Sequence, residues 1–418
     1  MENNTLYGGC DVSSDDNYFC FLLGDGTKLS TKHFANNKSG AKKLVDLMLQ
    51  YLAENDLEAL TFGVEATSNY HFHLLNFIAY NELLADYEVK VYQLNAKLVK
   101  NFKKAYPDKS KTDKYDSFII ADKLRFGRLP EEYTPFNKYE PLKRLTRTRF
   151  HIAENLKSEM NYFISNLFLK FSEYKKLPFS NTFGATSVAL FTEFDVEEIA
   201  DLSVQELIDF LIEKGKNRFS DPEGYAKEIK RLARNCYNLD RDIEDAVNLT
   251  LETSLETIKS LKSSLKRVNK AIKREISKFK QTLDSIPGIG PVFTAGIIAE
   301  IGGIHNFANE SKLAKYAGLV WNHQQSNDFD SDETSMSKFG NKYLRYYFIQ
   351  AANSVKTHCQ EYHDYYWKKY NESTKHKHKR SLVLSARKLV RLIFVLLRDN
   401  TLYDPSRYLE TKGGGSNN

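Results

Sequence analysis

The sequence has 418 residues, 41% of them hydrophobic, and a formal net charge of +6. This length allows two or three domains with sizeable cores, and the mildly basic balance is compatible with nucleic-acid binding. No apolar run approaches the roughly 20 residues of a membrane span, and the first residues lack the pattern of a signal peptide. The four cysteines form no Cys-x-x-Cys pair, which argues against a structural zinc site or a disulfide framework and fits a reducing cytoplasm.

Residues 6–94 have the pattern of an α/β domain, in which turn residues separate short strand-like runs from amphipathic helices. The predicted strands are 6–12, 18–23, 28–34, 59–65 and 87–94. Helices are predicted at 39–54 and 70–84 within this region and at 96–106 and 112–126 after it. Three consecutive strands followed by alternating helices and strands predict a mixed sheet covered by helices. The RNase H-like fold has this order of elements.

Residues 140–280 have a helical pattern. Between Ile243 and Phe279, apolar residues recur every three or four positions over about five heptads, which predicts a long helix packed as a coiled coil. Its partner is either a second copy of the chain, which is the interpretation we favour, or another helix of the same chain. The segment 176–222 contains Pro and Gly and predicts a hairpin or a small helical insert.

A third region, 281–405, begins with a turn-forming segment between two helical stretches and ends with a basic helix near 379–398. The turn contains Gly288 and Gly290. In a helix-hairpin-helix motif, such glycines let backbone N–H groups approach phosphates, and a plain turn between helices is the alternative. We therefore expect an RNase H-like domain at 1–135, a helical coiled-coil region at 136–280, a mainly α-helical domain at 281–405 and a flexible tail at 406–418.

Four acidic residues are placed where folding could bring them together. Asp11 ends the first predicted strand, Glu65 ends the fourth, and Asp113 and Asp116 are three residues apart on the last helix of the first domain. In an RNase H-like sheet the first and fourth strands are neighbours, and the last helix packs beside them. Converging carboxylates repel one another unless a cation such as Mg²⁺ neutralises them, and two such ions can assist phosphoryl transfer. The alternative is that all four are solvated turn and helix residues.

Basic residues crowd the region around the acidic pair, between 97 and 128. Phosphate contacts need such side chains, although a run of charges is also typical of a solvated helix face. The predicted nucleic-acid contacts are Lys97, Lys100, Lys103, Lys104, Lys111, Arg144, Arg147, Gly288, Gly290, Lys338 and Arg345.

A polar segment after residue 321 contains several serines and is followed by Lys338 and Arg345. A serine near such cations could attack a phosphate, but it needs activation by a base, a cation or a metal. The residues themselves leave four candidate nucleophiles open: Ser326, Ser331, Ser335 and Ser337. The alternative is that the serines of this segment are purely structural.

In this order, the motifs resemble one family, the insertion-sequence transposases with an N-terminal RuvC-like Asp-Glu-Asp-Asp domain and a C-terminal serine-bearing transposase domain. Piv-type DNA invertases and bridge-RNA-guided recombinases are related to it. The resemblance covers nearly the whole chain and depends on six short segments: 9–13, 65–70, 111–116, 287–290, 316–319 and 337–345.

The resemblance implies that Asp11, Glu65, Asp113 and Asp116 are catalytic and bind Mg²⁺ or Mn²⁺. It also implies that Ser326 is the nucleophile, which attacks a DNA phosphate and holds a covalent phosphoserine intermediate. In this sequence Asn327 follows Ser326 where the family has glycine, and Trp321 stands where a proline is common. The acids and the serine would form a composite site contributed by different protomers.

The function implied by the resemblance is site-specific recombination or transposition of double-stranded donor and target DNA, guided by a structured bridge RNA. The coiled coil would mediate a homodimer that assembles into a tetramer, in the cytoplasm of a prokaryotic cell and associated with its nucleoid. Two alternatives stay open: an invertase without an RNA guide, and a RuvC-like Holliday-junction nuclease that does not use Ser326.

Overall fold

The computed structural model describes residues 4–66, 68–106, 112–134, 137–321, 325–326, 329–330, 336–337, 339–406 and 408. The chain divides into two compact units, Met1–Lys138 and Tyr139–Asn418. This division lies close to the predicted boundary at residue 135, and each unit has hydrophobic cores of its own. None of the helices in the described part is both long enough and apolar enough to cross a membrane.

The described part of the first unit contains one five-stranded sheet with the strand order β3-β2-β1-β4-β5. Its strands are β1 Thr5–Val12, β2 Asp16–Leu22, β3 Lys28–Ala35, β4 Ala59–Glu65 and β5 Glu88–Leu94. The first three strands are antiparallel neighbours, whereas β4 and β5 continue the sheet parallel to β1. The predicted three-strand meander and mixed sheet are therefore confirmed.

Helices pack on both faces of this sheet: α1 Lys38–Glu54, α2 Phe72–Ala79, α3 Ala96–Lys103 and α4 Asp113–Phe126. Side chains alternate between the faces along β1. Leu6 and Cys10 belong to the core that contains α1 and α2, whereas Tyr7 packs on the core formed with α3 and α4. The helix predicted at 70–84 is shorter than expected, because it ends at Ala79 and is followed by the 3-10 turn Glu82–Leu84.

Glycine lets α4 lie directly on the centre of the sheet. Gly9 of β1 and Gly63 of β4 are partners in the parallel register. A Cβ atom at Gly9 would lie 2.2 Å from the backbone nitrogen of Ala121, and one at Gly63 would lie 2.9 Å from the Leu124 side chain. Only residues without a Cβ allow such a close approach of helix and sheet, so these glycines determine how near α4 lies to β1.

The second unit is mostly helical. Its helices are α5 Glu140–Lys170, α6 Ala185–Glu193, α7 Val196–Asp201, α8 Val204–Gly215, α9 Pro222–Ala233, α10 Arg241–Ile276, α11 Pro291–Ile301, α12 Glu310–Ala317, α13 Lys342–His358, α14 Gln360–Glu372 and α15 Lys377–Asp399. Segment 176–222 is a small helical insert, one of its two predicted forms.

The predicted long helix is α10, and it packs along α5 of the same chain. Its residues Val247, Leu251 and Leu255 are buried in a core shared with α5 and the helical insert, while Ile243 is 53% exposed. The intramolecular hairpin, the alternative to a dimeric coiled coil, accounts for this part of the apolar stripe. A role of the same helix in dimerisation stays a prediction.

Candidate active site

Asp11 and Glu65 lie at one edge of the sheet. Parallel pairing of β1 with β4 places Cys10 opposite Val64, and the next residue on each strand is one of the two acids. The carboxyl ends of these neighbouring strands meet at this edge. Tyr7, Gly9 and Asp11 are two residues apart along β1 and therefore lie on the same face of the sheet. This is the face that α4 covers.

The other two acids lie in the first turn of α4. The Thr112 side chain caps this helix by accepting a hydrogen bond from the backbone N–H of Tyr115. The cap fixes the start of the helix, so that Asp113 and Asp116 both lie in its first turn. Unpaired N–H groups give this end of a helix a partial positive charge, which stabilises carboxylates there.

The four acids interact electrostatically. The pKa of Asp11 rises from its ordinary value of 3.8 to about 6. Burial is the largest cause, and three neighbouring carboxylates add to it, in the order Asp116, Asp113 and Glu65. The structure thus brings together the four acids that the sequence singled out, from two strands and one helix.

A lysine is paired with one of these acids. Lys103, the last residue of α3, forms an ion pair with Asp116, and its ammonium lies 5.0 Å from the centre of the Tyr115 ring. Among the described residues, no three His, Cys, Asp or Glu side chains are arranged to hold a metal ion. The acids have the oxygen donors that Mg²⁺ prefers, but in this arrangement a lysine ammonium neutralises part of their charge.

Three other predicted phosphate contacts of the first unit lie on α3 or directly after it. They are exposed and close in sequence to the acid-paired Lys103: Lys97, Lys100 and Lys104. Lys111 lies outside the described residues.

Ser326 lies in a short strand rather than in a simple loop. Two antiparallel pairs of two-residue strands lie between α12 and α13: β6 Val320–Trp321 with β9 Met336–Ser337, and β7 Gln325–Ser326 with β8 Phe329–Asp330. We call these two strand pairs the serine ribbon. Ser326 is opposite Phe329 in its outer strand pair. Ser331, Ser335 and Lys338 lie outside the described residues.

Two glycines with positive φ lie on either side of the serine ribbon, Gly318 at +69° and Gly340 at +138°. We call this end of the ribbon, next to α12 and α13, its base. A Cβ atom at Gly318 would lie 2.4 Å from a guanidinium nitrogen of Arg345. That guanidinium donates a hydrogen bond of 3.1 Å to the Ala317 carbonyl at the end of α12. Arg345, predicted as a phosphate contact, thus helps to hold the base of the ribbon, and its contact with nucleic acid stays a prediction.

A buried carboxylate lies next to this base. Glu300 of α11 is 2% exposed and accepts hydrogen bonds of 2.7 and 2.9 Å from the Arg147 guanidinium of α5. It accepts another, of 2.7 Å, from the amide of Asn341, which also caps α13. Arg147 thus compensates a buried charge, which competes with its predicted role as a phosphate contact. Arg144 is exposed and pairs with Glu140 one helical turn away.

The sequence interpretation missed Glu300. The available signal was a single acidic residue in the otherwise apolar helix α11, because a buried charge requires a partner. Nothing in the local sequence identified that partner, which lies on another helix.

The predicted phosphate-binding hairpin at 286–291 is preceded by the 3-10 turn Leu283–Ser285 rather than by a longer helix. Gly288 has a φ of +95°, and a Cβ atom there would lie 3.0 Å from the Ser354 backbone of α13. Gly290 precedes α11, and a Cβ there would meet nothing within 4 Å. The requirement for Gly288 is therefore explained by packing within the chain, and phosphate binding by this hairpin stays a prediction.

Two family models match this chain, one over the segment that carries the acids and one over the segment that carries the serine ribbon. Residues 8–171, which include all four acids, match a family model described as a transposase and labelled with DEDD and insertion sequence IS110. Residues 280–368, which include the serine ribbon, match the model of the IS116/IS110/IS902 transposase family. The chain belongs to this transposase family. It is therefore an enzyme of DNA transposition.

Three relatives are similar to this chain over very different shares of its length. A 44.8 kDa protein of insertion element IS116 from Streptomyces clavuligerus is 21% identical over 97% of both chains. A 42 kDa protein of insertion element IS900 from Mycobacterium paratuberculosis is 27% identical over 29% of this chain and 30% of its own. The transposase for insertion sequence element IS1111A from Coxiella burnetii is 29% identical over 34% of each chain. The similarity to the IS116 protein covers both units.

Proposed function

We propose that this transposase cuts and rejoins DNA strands with Ser326 as its nucleophile and with Asp11, Glu65, Asp113 and Asp116 as ligands of Mg²⁺ or Mn²⁺. The observation that carries the metal part is the convergence of the four acids at the ends of β1 and β4 and in the first turn of α4, where burial, followed by repulsion from the neighbouring carboxylates, raises the pKa of Asp11 to about 6. A divalent cation bound there would relieve this repulsion and polarise phosphate oxygens.

The acids and Lys103 have separate tasks in this proposal. The carboxylates that would hold the cation are those of Asp11 and Glu65 at the edge of the sheet and those of Asp113 and Asp116 in the first turn of α4. A cation held by Asp116 would compete with its ion pair to Lys103, and the Lys103 ammonium would then be available to bind a DNA phosphate. The exposed lysines of α3 extend the same basic surface.

Ser326 performs the covalent step of the proposed reaction. Its oxygen forms a bond to phosphorus as its proton is lost to a base, and the bond from phosphorus to the leaving sugar oxygen breaks as that oxygen gains a proton. Attack by a second sugar hydroxyl reverses these changes, releases the serine and joins the new strands. The support for Ser326 is the family resemblance and its place in a ribbon whose base is held by Gly318, Gly340 and Arg345.

The test of the nucleophile uses a plasmid that carries the gene with its flanking DNA. We expect Ser326→Ala to abolish recombinant junctions, a loss of at least about a thousandfold, together with the covalent protein–DNA adduct on a denaturing gel. Ser337→Ala, which changes a serine in the inner strand pair of the same ribbon, is the matched control and should retain both. Metal-dependent cleavage that survives Ser326→Ala would instead identify a RuvC-like nuclease.

The metal part is tested separately by Mn²⁺ binding to the purified protein. Asp11→Asn should weaken this binding, whereas Ser326→Ala should leave it unchanged. Equal Mn²⁺ affinity in the wild type and Asp11→Asn would remove the acids from the proposal without affecting the serine.

We further propose that the transposase is guided by a structured RNA, a proposal supported by the family resemblance and by the basic surface of α3. RNA that stays bound to the purified protein at moderate salt should be sequenced. One structured RNA encoded beside the gene is the expected result, whereas random fragments would favour an invertase that reads DNA without a guide.

A further inference from the structure

A cavity of about 740 Å³ opens in the first unit, on the face of the sheet that carries α1 and α2. Its apolar wall includes Phe19 of β2 and Leu74 and Phe77 of α2, and Tyr70 lies at its edge with 48% exposure. This volume is in the range of small-molecule sites, which combine an apolar wall with a few polar groups. The proposed chemistry of the acids does not use this space.

The polar part of the wall consists mainly of side-chain amides, from Asn17, Asn36, Asn37, Asn69 and Asn76. Asn17 is 1% exposed, and in the part of the chain that the structure describes its side-chain oxygen has no hydrogen-bond partner. A buried acceptor without a donor is costly. Asn17 lines the cavity, and a ligand N–H group that reached this buried oxygen would satisfy it.

The rim of the cavity is connected to the strands that carry the acids. The Asn36 amide donates hydrogen bonds to the carbonyl of Ser13, at 2.8 Å, and to that of Tyr70, at 3.2 Å. Ser13 follows Asp11 by two residues, and Tyr70 belongs to the turn region after Glu65. The cavity and the acid cluster thus lie at the same edge of the sheet, on opposite faces.

A nucleobase matches these features. It has a flat apolar body that stacks on aromatic rings and an edge of N–H donors and ring acceptors. An amide side chain offers an acceptor and a donor side by side, which suits the amino group and ring nitrogen of adenine. Lys38 at the start of α1 also lines the cavity and supplies a positive charge for the attached phosphate.

We propose that this cavity binds one unpaired adenine base of a nucleic-acid strand. Tyr70 and Phe77 stack on the base, and Asn17 accepts a hydrogen bond from its amino group. The inference rests on the proposed function, in which the acids act on a strand at the same edge of the sheet. It adds a base-specific contact that holds this strand, or a bound RNA, in register.

The experiment uses the full-length protein in EDTA, so that no cleavage occurs, with short single strands of DNA and RNA. Each strand contains adenines or, at the same positions, abasic residues. We expect the adenine strand to bind about five- to a hundredfold more tightly, the range that stacking of one base on an aromatic side chain supports. Tyr70→Ala and Asn17→Leu should each reduce this difference. Tyr80→Ala removes an aromatic of similar exposure outside the cavity and should not.

Strands with 8-azidoadenine locate the base directly, because photo-crosslinks to peptides around Tyr70 and Phe77 are expected. If Asn17→Leu fails to fold, Tyr70→Ala still tests the proposal, since about half of Tyr70 is exposed and its removal leaves the core intact. Crosslinks from the DNA strand, from the RNA strand or from both identify the source of the base. Salt-dependent binding without an adenine preference would overturn the cavity proposal and leave the proposed function intact, whereas no binding of any strand would overturn the cavity proposal and remove the basic surface of α3 from the proposed function.

Discussion

The pKa of Asp11 links the acid cluster to a measurable quantity, the pH dependence of the free energy of unfolding. Its pKa of about 6 lies well above its ordinary value of 3.8, so the folded, metal-free protein holds a proton there more readily than the unfolded chain does. The stability that this proton contributes is fully present below pH 3.8 and is lost as the pH rises through about 6. At neutral pH the folded protein therefore carries an unfavourable charge at this position.

We predict that Asp11→Asn stabilises the metal-free protein at pH 7.5, by about 1–2 kcal/mol once solvent screening is allowed for. The gain should shrink towards pH 4, where wild-type Asp11 is itself mostly protonated. Urea unfolding in EDTA at several pH values measures both effects. Asp86→Asn, an exposed acid outside the cluster, is the control and should show neither. A variant no more stable than the wild type at pH 7.5 would contradict the raised pKa of Asp11.

Lys103 and a metal ion compete for Asp116. The ion pair is partly exposed, with 23% of the Lys103 side chain and 31% of the Asp116 side chain accessible, and such a pair is worth up to about 1 kcal/mol. We therefore predict that Lys103→Gln strengthens Mn²⁺ binding by up to about fivefold, as measured by calorimetry. Lys104→Gln, the neighbouring exposed lysine, should have a smaller effect. Weaker Mn²⁺ binding in Lys103→Gln would show instead that the lysine supports the metal site.

The sequence predicted the location of some site residues but not the ion-pair partners of others, for a physical reason. Asp11 and Glu65 could be found because acids at the ends of strands are unusual and because parallel strands share an edge. The partners of Lys103 and Glu300 could not be found, since an ion pair depends on the packing of separate helices. For the same reason Arg147 and Arg345 looked like phosphate contacts, although their guanidinium groups bind acceptors within the chain.

Among the elements, α4 has the most demanding packing, because its backbone lies against Gly9 of β1. A Cβ at Gly9 would lie 2.2 Å from the Ala121 nitrogen and 2.4 Å from the Ser117 carbonyl oxygen, both backbone atoms that can move only with the helix. At Gly63 the nearest atoms are the methyl groups at the end of the Leu124 side chain, which can rotate away. The two register partners therefore differ in what surrounds them.

We predict that Gly9→Ala destabilises the protein by about 1–3 kcal/mol or more, because overpacking must shift the whole helix. Gly63→Ala, the matched control, should cost clearly less. Urea unfolding compares the two variants. Gly9→Ala should also weaken Mn²⁺ binding, since it moves the turn that carries Asp113 and Asp116. Equal losses of stability in the two variants would contradict this account of the helix–sheet contact.

The elements of the first unit were predicted well because turn residues bound each strand and because helix and strand periods differ. The partner of α10 was not, since a heptad pattern shows that a helix has an apolar stripe but does not show which helix covers it. The strands of the serine ribbon are two residues long. Such short strands carry no periodic signal, and the sequence therefore did not predict them.

At the scale of the whole molecule, the chain separates its two candidate chemistries into different units. The four acids lie in Met1–Lys138, and Ser326 lies in Tyr139–Asn418. The segment just before the predicted boundary at residue 135 is attached to the first unit. Tyr133 donates a backbone hydrogen bond of 2.7 Å to Val91 of β5 and packs on the core beneath α1 and α2.

We predict that residues 1–138 alone unfold cooperatively in urea and bind Mn²⁺ with the affinity of the full chain, because the sheet, its four helices and all four acids lie within them. Residues 139–418 alone should retain a helical circular dichroism spectrum without this binding, and the matched control is the fragment 1–138 with Asp11→Asn. If residues 1–138 fold but bind Mn²⁺ much more weakly than the full chain, the second unit supplies part of the metal site. If they fail to fold, the two units are not thermodynamically independent, and the separation of the chemistries would then not be a separation of domains.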